Sequence, residues 1–180
     1  SSEAAEAERA NFAERAAEEG KTGNSVLLDR NVVTYLEGHR EIPCEEQGGI
    51  YFLNRNKLSL YKPDSNELTE VHQFDNVQDV YVANDRLYIL DRSSNITIYN
   101  LLTQQEEKKL QYGDHASSIG ADSKGRIYLA ESNGNGDDYD LYLLSPEGTL
   151  LSQALSEEAV YGFCGFDESN GNYYVDTYNN

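Results

Sequence analysis

The sequence predicts an all-β fold of the β-propeller class, with about 3.5 to 4 blades preceded by an N-terminal α-helix. Three observations carry that prediction. A strand signature recurs four times, as IYFLN at 50–54, LYILD at 87–91, IYLAE at 127–131 and NYYVD at 172–176. Its tyrosines, Tyr51, Tyr88, Tyr128 and Tyr173, stand 37, 40 and 45 residues apart, and a period near 40 filled with short strands is that of a four-stranded blade. From Asn24 onward, short alternating runs are broken by Gly, Asn, Asp and Pro, as an all-β domain requires.

In chain order, residues 3–19 (EAAEAERANFAERAAEE) are rich in Ala, Glu and Arg and lack β-branched residues, which favours helix, and Gly20 supplies a stop. Phe12 is the one large apolar residue of that stretch, so residues 1–22 read as a helical stalk or linker and 23–180 as the propeller. Each tyrosine strand is followed by a second one, KLSLY at 57–61, NITIY at 95–99 and DLYLL at 140–144. Leu58, Ile96 and Leu141 are equivalent, as are Leu60, Ile98 and Leu143, and alternation predicts that they share one buried face. Turns at 62–66 (KPDSN) and 145–148 (SPEG) lead to third strands. The inner strands are expected before the tyrosine strands, at 41–45, 79–83, 117–121 and 160–166. Asp122-Ser-Lys-Gly-Arg126 and Asp167-Glu-Ser-Asn-Gly171 match each other between inner strand and tyrosine strand. This count yields three complete blades and half of a fourth. Either residues 25–36 (SVLLDRNVVTYL) supply the missing outer strands or the propeller continues beyond this chain, and the rarity of four-bladed rings favours continuation.

The formal charge of −18 repels a phosphate backbone, so no nucleic-acid partner is expected. Without residues 1–22 the balance is still −15, so acidity belongs to the propeller and reads mainly as a solvated surface. No run reaches the 18 or more apolar residues of a membrane helix, which leaves membrane attachment to an anchor outside this chain.

Two stretches carry a resemblance. Ile119-Gly-Ala-Asp-Ser-Lys-Gly-Arg-Ile-Tyr-Leu-Ala-Glu131 and the run from Phe166 to Asn180 resemble the NHL-repeat propellers, whose blades place Asp-x-x-Gly-Asn before Ile-Tyr-Val-Ala-Asp; the blades are similar to the NHL, YWTD and TolB-like types. The likeness spans about residues 40–180 and is looser in the first two blades, which lack the Asp-x-x-Gly turn. The resemblance implies a bacterial propeller of extracytoplasmic type, secreted or membrane-anchored, in line with the stalk.

Several residues are candidates for chemistry. The repeated strand-end residues Asn54, Asp91, Glu131 and Asp176 look like a ring of ligands, but a polar side chain there is expected to accept hydrogen bonds from the following turn. The tyrosines are expected to pack, with a polar tip. The loop 132–140 (SNGNGDDYD) is longer than its counterparts and offers Asn133, Asn135, Asp137, Asp138 and Asp140 as oxygen donors. Calcium is the ion such donors suit, set against a plain hydrated hairpin, and Leu144 stands where a twelve-residue calcium loop has Glu. No other cofactor is expected. Cys44 and Cys164 fall at equivalent places on different blades and read as two buried thiols, with a disulfide as the alternative. His39, His72 and His115 lie near blade connections without zinc-like spacing.

The expectation is a non-enzymatic binding or scaffold module that recognises a protein, peptide or glycan through loops at the propeller mouth. The rival is a metal-dependent hydrolase or lyase of lactonase type in the central channel. That rival needs inward polar side chains from at least three inner strands, where Glu45 and Asp79 are the main polar residues.

Overall fold

The computed structural model describes the backbone of residues 40–44 together with residues 49–167 and 169–177. The expected stalk over 1–22, residues 25–36, His39, Glu45 and the side chain of Cys44 lie outside the described residues. The chain divides into two compact units, Ser1–Phe74 and Asp75–Asn180.

In the first unit, β1 (Arg40–Cys44), β2 (Gly49–Asn54), β3 (Lys57–Lys62) and β4 (Glu67–Gln73) form an antiparallel sheet in chain order. A two-residue turn joins Asn54 to Lys57, with Arg55 in the left-handed region at φ 55°. The next turn closes where the Tyr61 hydroxyl donates to Asn66 Oδ1 at 2.8 Å.

The second unit repeats that plan. Its first sheet holds β5 (Val77–Ala83), β6 (Arg86–Asp91), β7 (Asn95–Asn100) and β8 (Gln105–Gln111); its second holds β9 (Ser118–Ala121), β10 (Ile127–Ser132), β11 (Tyr139–Leu144) and β12 (Leu150–Ser156). A two-stranded sheet, β13 (Val160–Asp167) with β14 (Asn172–Thr177), follows. Three four-stranded antiparallel meanders and a half-sheet are β-propeller blades, and all four expected inner strands occur as β1, β5, β9 and β13. Within the second unit β9 packs between β5 and β13, so the inner strands of successive blades lie side by side.

Burial departs from the single apolar face that alternation predicts. In β6, Leu87, Tyr88, Ile89 and Leu90 are all buried, because a middle strand of a blade is covered on both faces. Tyr88, Leu90, Ile96 and Ile98 of the second blade meet Ile119, Ala121, Ile127, Leu129 and Leu144 of the third in one core cluster. Leu141 and Leu143 are only half-buried; they share the other face of the third blade with Tyr128 and Ala130. The outer strand β8 is charged and almost wholly exposed, which protects an edge from pairing with other chains. A register shift between Ile98 and Tyr99 leaves Glu107 as the extra residue of β8. Its carboxylate accepts from Arg86 Nε at 3.0 Å, Arg86 Nη2 at 3.1 Å and Asn100 Nδ2 at 2.7 Å, tying the outer strand back to β6 and β7.

The fourth tyrosine breaks the repeat. Tyr88 and Tyr128 face the following blade: Tyr88 joins the core cluster with the third blade, and Tyr128 stacks on the half-blade. Tyr173 instead points backward, its ring centroid 3.9 Å from that of Tyr128 and its hydroxyl donating to the Ala121 carbonyl at 3.0 Å. A one-residue change of phase turns a strand over. The opposing strand β13 carries two register shifts, between Val160 and Gly162 and between Phe163 and Gly165. The shift that skips Cys164 puts Phe163 on the same face as Phe166, and both join Tyr173 against the third blade, while Tyr174 is exposed.

Gly120 makes that contact possible. A Cβ added there would run into the Tyr173 hydroxyl and sit 2.8 Å from Phe163 Cβ. Gly120→Ala is expected to cost about 1–3 kcal/mol through overpacking, read as a lowered urea midpoint at unchanged m-value.

Candidate functional site

The densest polar arrangement is the turn that carries the Asp-x-x-Gly phrase of the third blade. Asp122 is 1% exposed. Its Oδ1 accepts from the backbone N–H groups of Lys124 and Arg126, both at 3.0 Å, as a carboxylate at the head of a tight turn can. Its Oδ2 accepts from Arg126 Nε at 2.7 Å and from the Tyr128 hydroxyl at 3.3 Å. The main chain closes with Gly125 N–H donating to the Asp122 carbonyl at 3.0 Å, and Gly125 takes φ 76°, a conformation that glycine adopts without strain.

That turn also joins blades. Asn84 Nδ2, from the hairpin between β5 and β6, donates to the Asp122 carbonyl at 2.8 Å. The Arg126 guanidinium lies 6.0 Å from the centroid of Phe166 in the half-blade, at the edge of cation–π range. One aspartate thus organises contacts among three successive blades. In the matching turn of the half-blade, Asp167 Oδ1 accepts from the Ser169 hydroxyl at 2.6 Å and its N–H at 2.9 Å, and these bonds hold the Asp167 carboxyl below its usual range.

Beside Asp122 lies an aromatic cluster of Tyr81, Tyr128, Phe163, Phe166 and Tyr173. Burial is the main cause that raises the Tyr173 hydroxyl well above the ordinary tyrosine range, with its bond to Tyr81 adding to the effect. Tyr128 is raised as well, by burial first and then by the Asp122 charge. On the opposite face Tyr142, stacked edge-on to Tyr112 at 5.0 Å, is pushed up to about 12 by burial and then by Asp140.

The strand-end residues separate into different roles. Asp91 accepts from the N–H groups of Ser93 at 2.9 Å and Asn95 at 2.8 Å, capping its following turn as that position predicts. Glu131 reaches the other way: Oε1 accepts from the N–H groups of Asp114 at 3.0 Å and His115 at 2.7 Å, in the connection that precedes its blade. Asn54 and Asp176 are exposed. Asp79 bonds the Ile119 N–H at 2.9 Å across two inner strands. The buried Ser94 hydroxyl accepts from the Ala116 N–H at 2.7 Å, a tie between blades that the sequence did not mark.

The long loop lies between β10 and β11 and closes on itself. Asn133 N–H donates to the Asp138 carbonyl at 3.1 Å, Asp138 N–H to the Asn135 carbonyl at 3.0 Å, and Asn135 N–H to Asn133 Oδ1 at 3.0 Å. Asp140 Oδ2 is 3.5 Å from the Tyr142 hydroxyl. Asn135 and Asp137 are exposed, and Asp137, Asp138 and Asp140 do not converge as a three-carboxylate cluster. Cys164 is a free thiol and exposed, contrary to the buried position expected from its strand, because the shifts in β13 turn it outward beside Gly165 and Tyr174. His72 stacks on Phe74 at 4.7 Å, while His115 is exposed.

No protein-family model and no curated protein matches the sequence. Solved structures do match in shape. The WD40 β-propeller domain of Doa1 aligns with a TM-score of 0.55 at 12% identity, covering 76% of this chain and 46% of that one. BamB from Moraxella catarrhalis aligns at 0.54 and 10%, covering 75% of this chain and 38% of that one. BBS1N in complex with ARL6DN aligns at 0.52 and 16%, covering 72% and 39%. The chain thus spans less than half the length of each. At these identities the likeness establishes the fold: the chain is β-propeller in architecture.

Two outcomes follow from this geometry. Asp122→Ala leaves several N–H donors and the Arg126 guanidinium without their acceptor and is expected to cost about 2–4 kcal/mol, measured by urea unfolding. Unfolded tyrosine ionises near about pH 10, and the folded chain holds the Tyr142 proton up to about 12, so stability is full below the lower value and falls as pH rises between them. Tyr142→Phe is expected to reduce that alkaline loss in a series of urea midpoints, with the part due to Tyr128 and Tyr173 remaining.

Proposed function

We propose that the chain is part of a non-enzymatic recognition platform, an NHL-like propeller displayed outside the cell membrane that binds a protein, peptide or glycan through its exposed loops. The observation that carries this reading is the use made of polar side chains within the blades. Asp79, Asp91, Asp122 and Glu131 each accept backbone N–H groups and hold turns or adjacent strands in place. Their chemistry maintains a rigid frame, and a frame of that kind positions loops. The lactonase-like alternative requires polar groups aimed into the channel from three inner strands. On the described inner strands β5, β9 and β13, Asp79 is bonded to the neighbouring blade and Asp167 to its own turn.

BBS1N is a propeller-shaped neighbour whose structure holds a protein partner, which accords with a protein ligand here. The resemblance of the third and fourth blades to NHL repeats supports the extracytoplasmic placement.

The test pairs two assays on the purified chain. Capture from envelope extracts is expected to return one saturable partner whose binding survives a metal chelator. Divalent-metal-dependent turnover of lactone or ester substrates, abolished by the chelator, would overturn the reading in favour of an enzyme.

A further inference from the structure

The chain contains three Asn-Gly pairs, Asn133-Gly134, Asn135-Gly136 and Asn170-Gly171, all in hairpin loops. An Asn-Gly pair is chemically labile because glycine has no side chain to block attack of its own nitrogen on the preceding amide. The rate in a folded protein depends on whether the attacking N–H and the Asn carboxamide are free to approach each other.

The three pairs differ in that respect. At Asn170 every participant is held: Gly171 N–H donates to the Asp167 carbonyl at 2.8 Å, Asn170 Oδ1 accepts from Asn172 N–H at 2.9 Å, and Nδ2 donates to the Tyr174 hydroxyl at 3.3 Å. At Asn133 the carboxamide oxygen is held by Asn135 N–H at 3.0 Å, and Gly134 N–H has a long bond of 3.5 Å to Ser132 Oγ. At Asn135 the side chain is exposed, and among the described residues neither its carboxamide nor Gly136 N–H has a hydrogen-bond partner. Gly136 sits at φ 60° with no atom beyond its two chain neighbours within 4 Å of where a Cβ would be, so no other residue crowds it.

We propose that Asn135 is a site of spontaneous covalent modification, converting to aspartate and isoaspartate ahead of the chain's other Asn-Gly pairs. The Gly136 nitrogen attacks Asn135 Cγ, the Cγ–Nδ2 bond breaks, and ammonia leaves with the proton from Gly136 N–H, closing a five-membered imide. Water then opens the ring. Cleavage of the new N–Cγ bond gives aspartate; cleavage of the original main-chain bond gives isoaspartate, which routes the backbone through the side chain and adds a methylene. Either product places one more negative charge beside Asp137 and Asp138. The strands on either side stay paired from Ser132 and Tyr139 inward, so the change is confined to an exposed loop of the third blade. The modification stands independently of the recognition proposed above.

The experiment ages the full chain in mildly alkaline buffer, folded and in denaturant, and maps the products after cleavage at glutamate. Fragments 132–147 and 169–180 separate the loops, and tandem mass spectrometry assigns each site. In the folded chain Asn135 is expected to convert several-fold faster than Asn133 and Asn170, with the three rates converging in denaturant. Equal or faster conversion at Asn133 or Asn170 in the folded chain overturns the proposal. Asn135→Gln, which keeps the amide but disfavours the five-membered ring, is expected to remove the main acidic isoform without changing the urea midpoint; persistence of that isoform overturns it as well.

Discussion

A four-stranded sheet that is apolar on both faces cannot be stable alone, and that constraint shapes the described structure. Leu87, Tyr88, Ile89 and Leu90 follow one another in β6 and are all buried, so each face of that blade has to be covered. Face-to-face packing of the second and third blades forms a single apolar cluster from both. Burying a strand on both sides also removes water from the inner hairpins, whose polar groups must then be satisfied within the protein. The Asp122 turn, Asp79 on Ile119 and Ser94 on Ala116 are the local answers.

These polar contacts explain why repeated acidic residues are a poor guide to a ligand site. Asp91 and Glu131 occupy equivalent positions in the repeat, yet one caps the turn ahead and the other ties down the connection behind. Glutamate is one methylene longer than aspartate, which lets it reach a loop that aspartate does not. At both of these positions the carboxylate has a backbone partner, and the neighbouring loop differs between them.

The half-blade shows where a repeat ceases to be a ruler. Tyr173 matches Tyr88 and Tyr128 in sequence and faces the opposite way, and two register shifts interrupt the alternation of its partner strand β13. The consequences are local and chemical. Tyr173 reaches over Gly120 to the Ala121 carbonyl, and Cys164 and Tyr174 turn outward. Strand pairing is a relation between two segments, and neither segment alone contains the shift.

The sequence by itself determined the fold class, the inner strands and the main turns, because periodic apolar runs and turn residues such as Asp122, Gly125 and Asn66 act over a few neighbouring positions. It also marked the loop 132–140 as exceptional and Asp79 as an unusual polar residue on an inner strand. Only the tertiary structure decided that β6 is buried on both faces, that Tyr173 points backward, that Glu131 bonds the preceding connection, and that the three Asn-Gly pairs differ in freedom. Each of those depends on a partner many residues away or on a hydrogen bond whose geometry forms only after the sheets have packed.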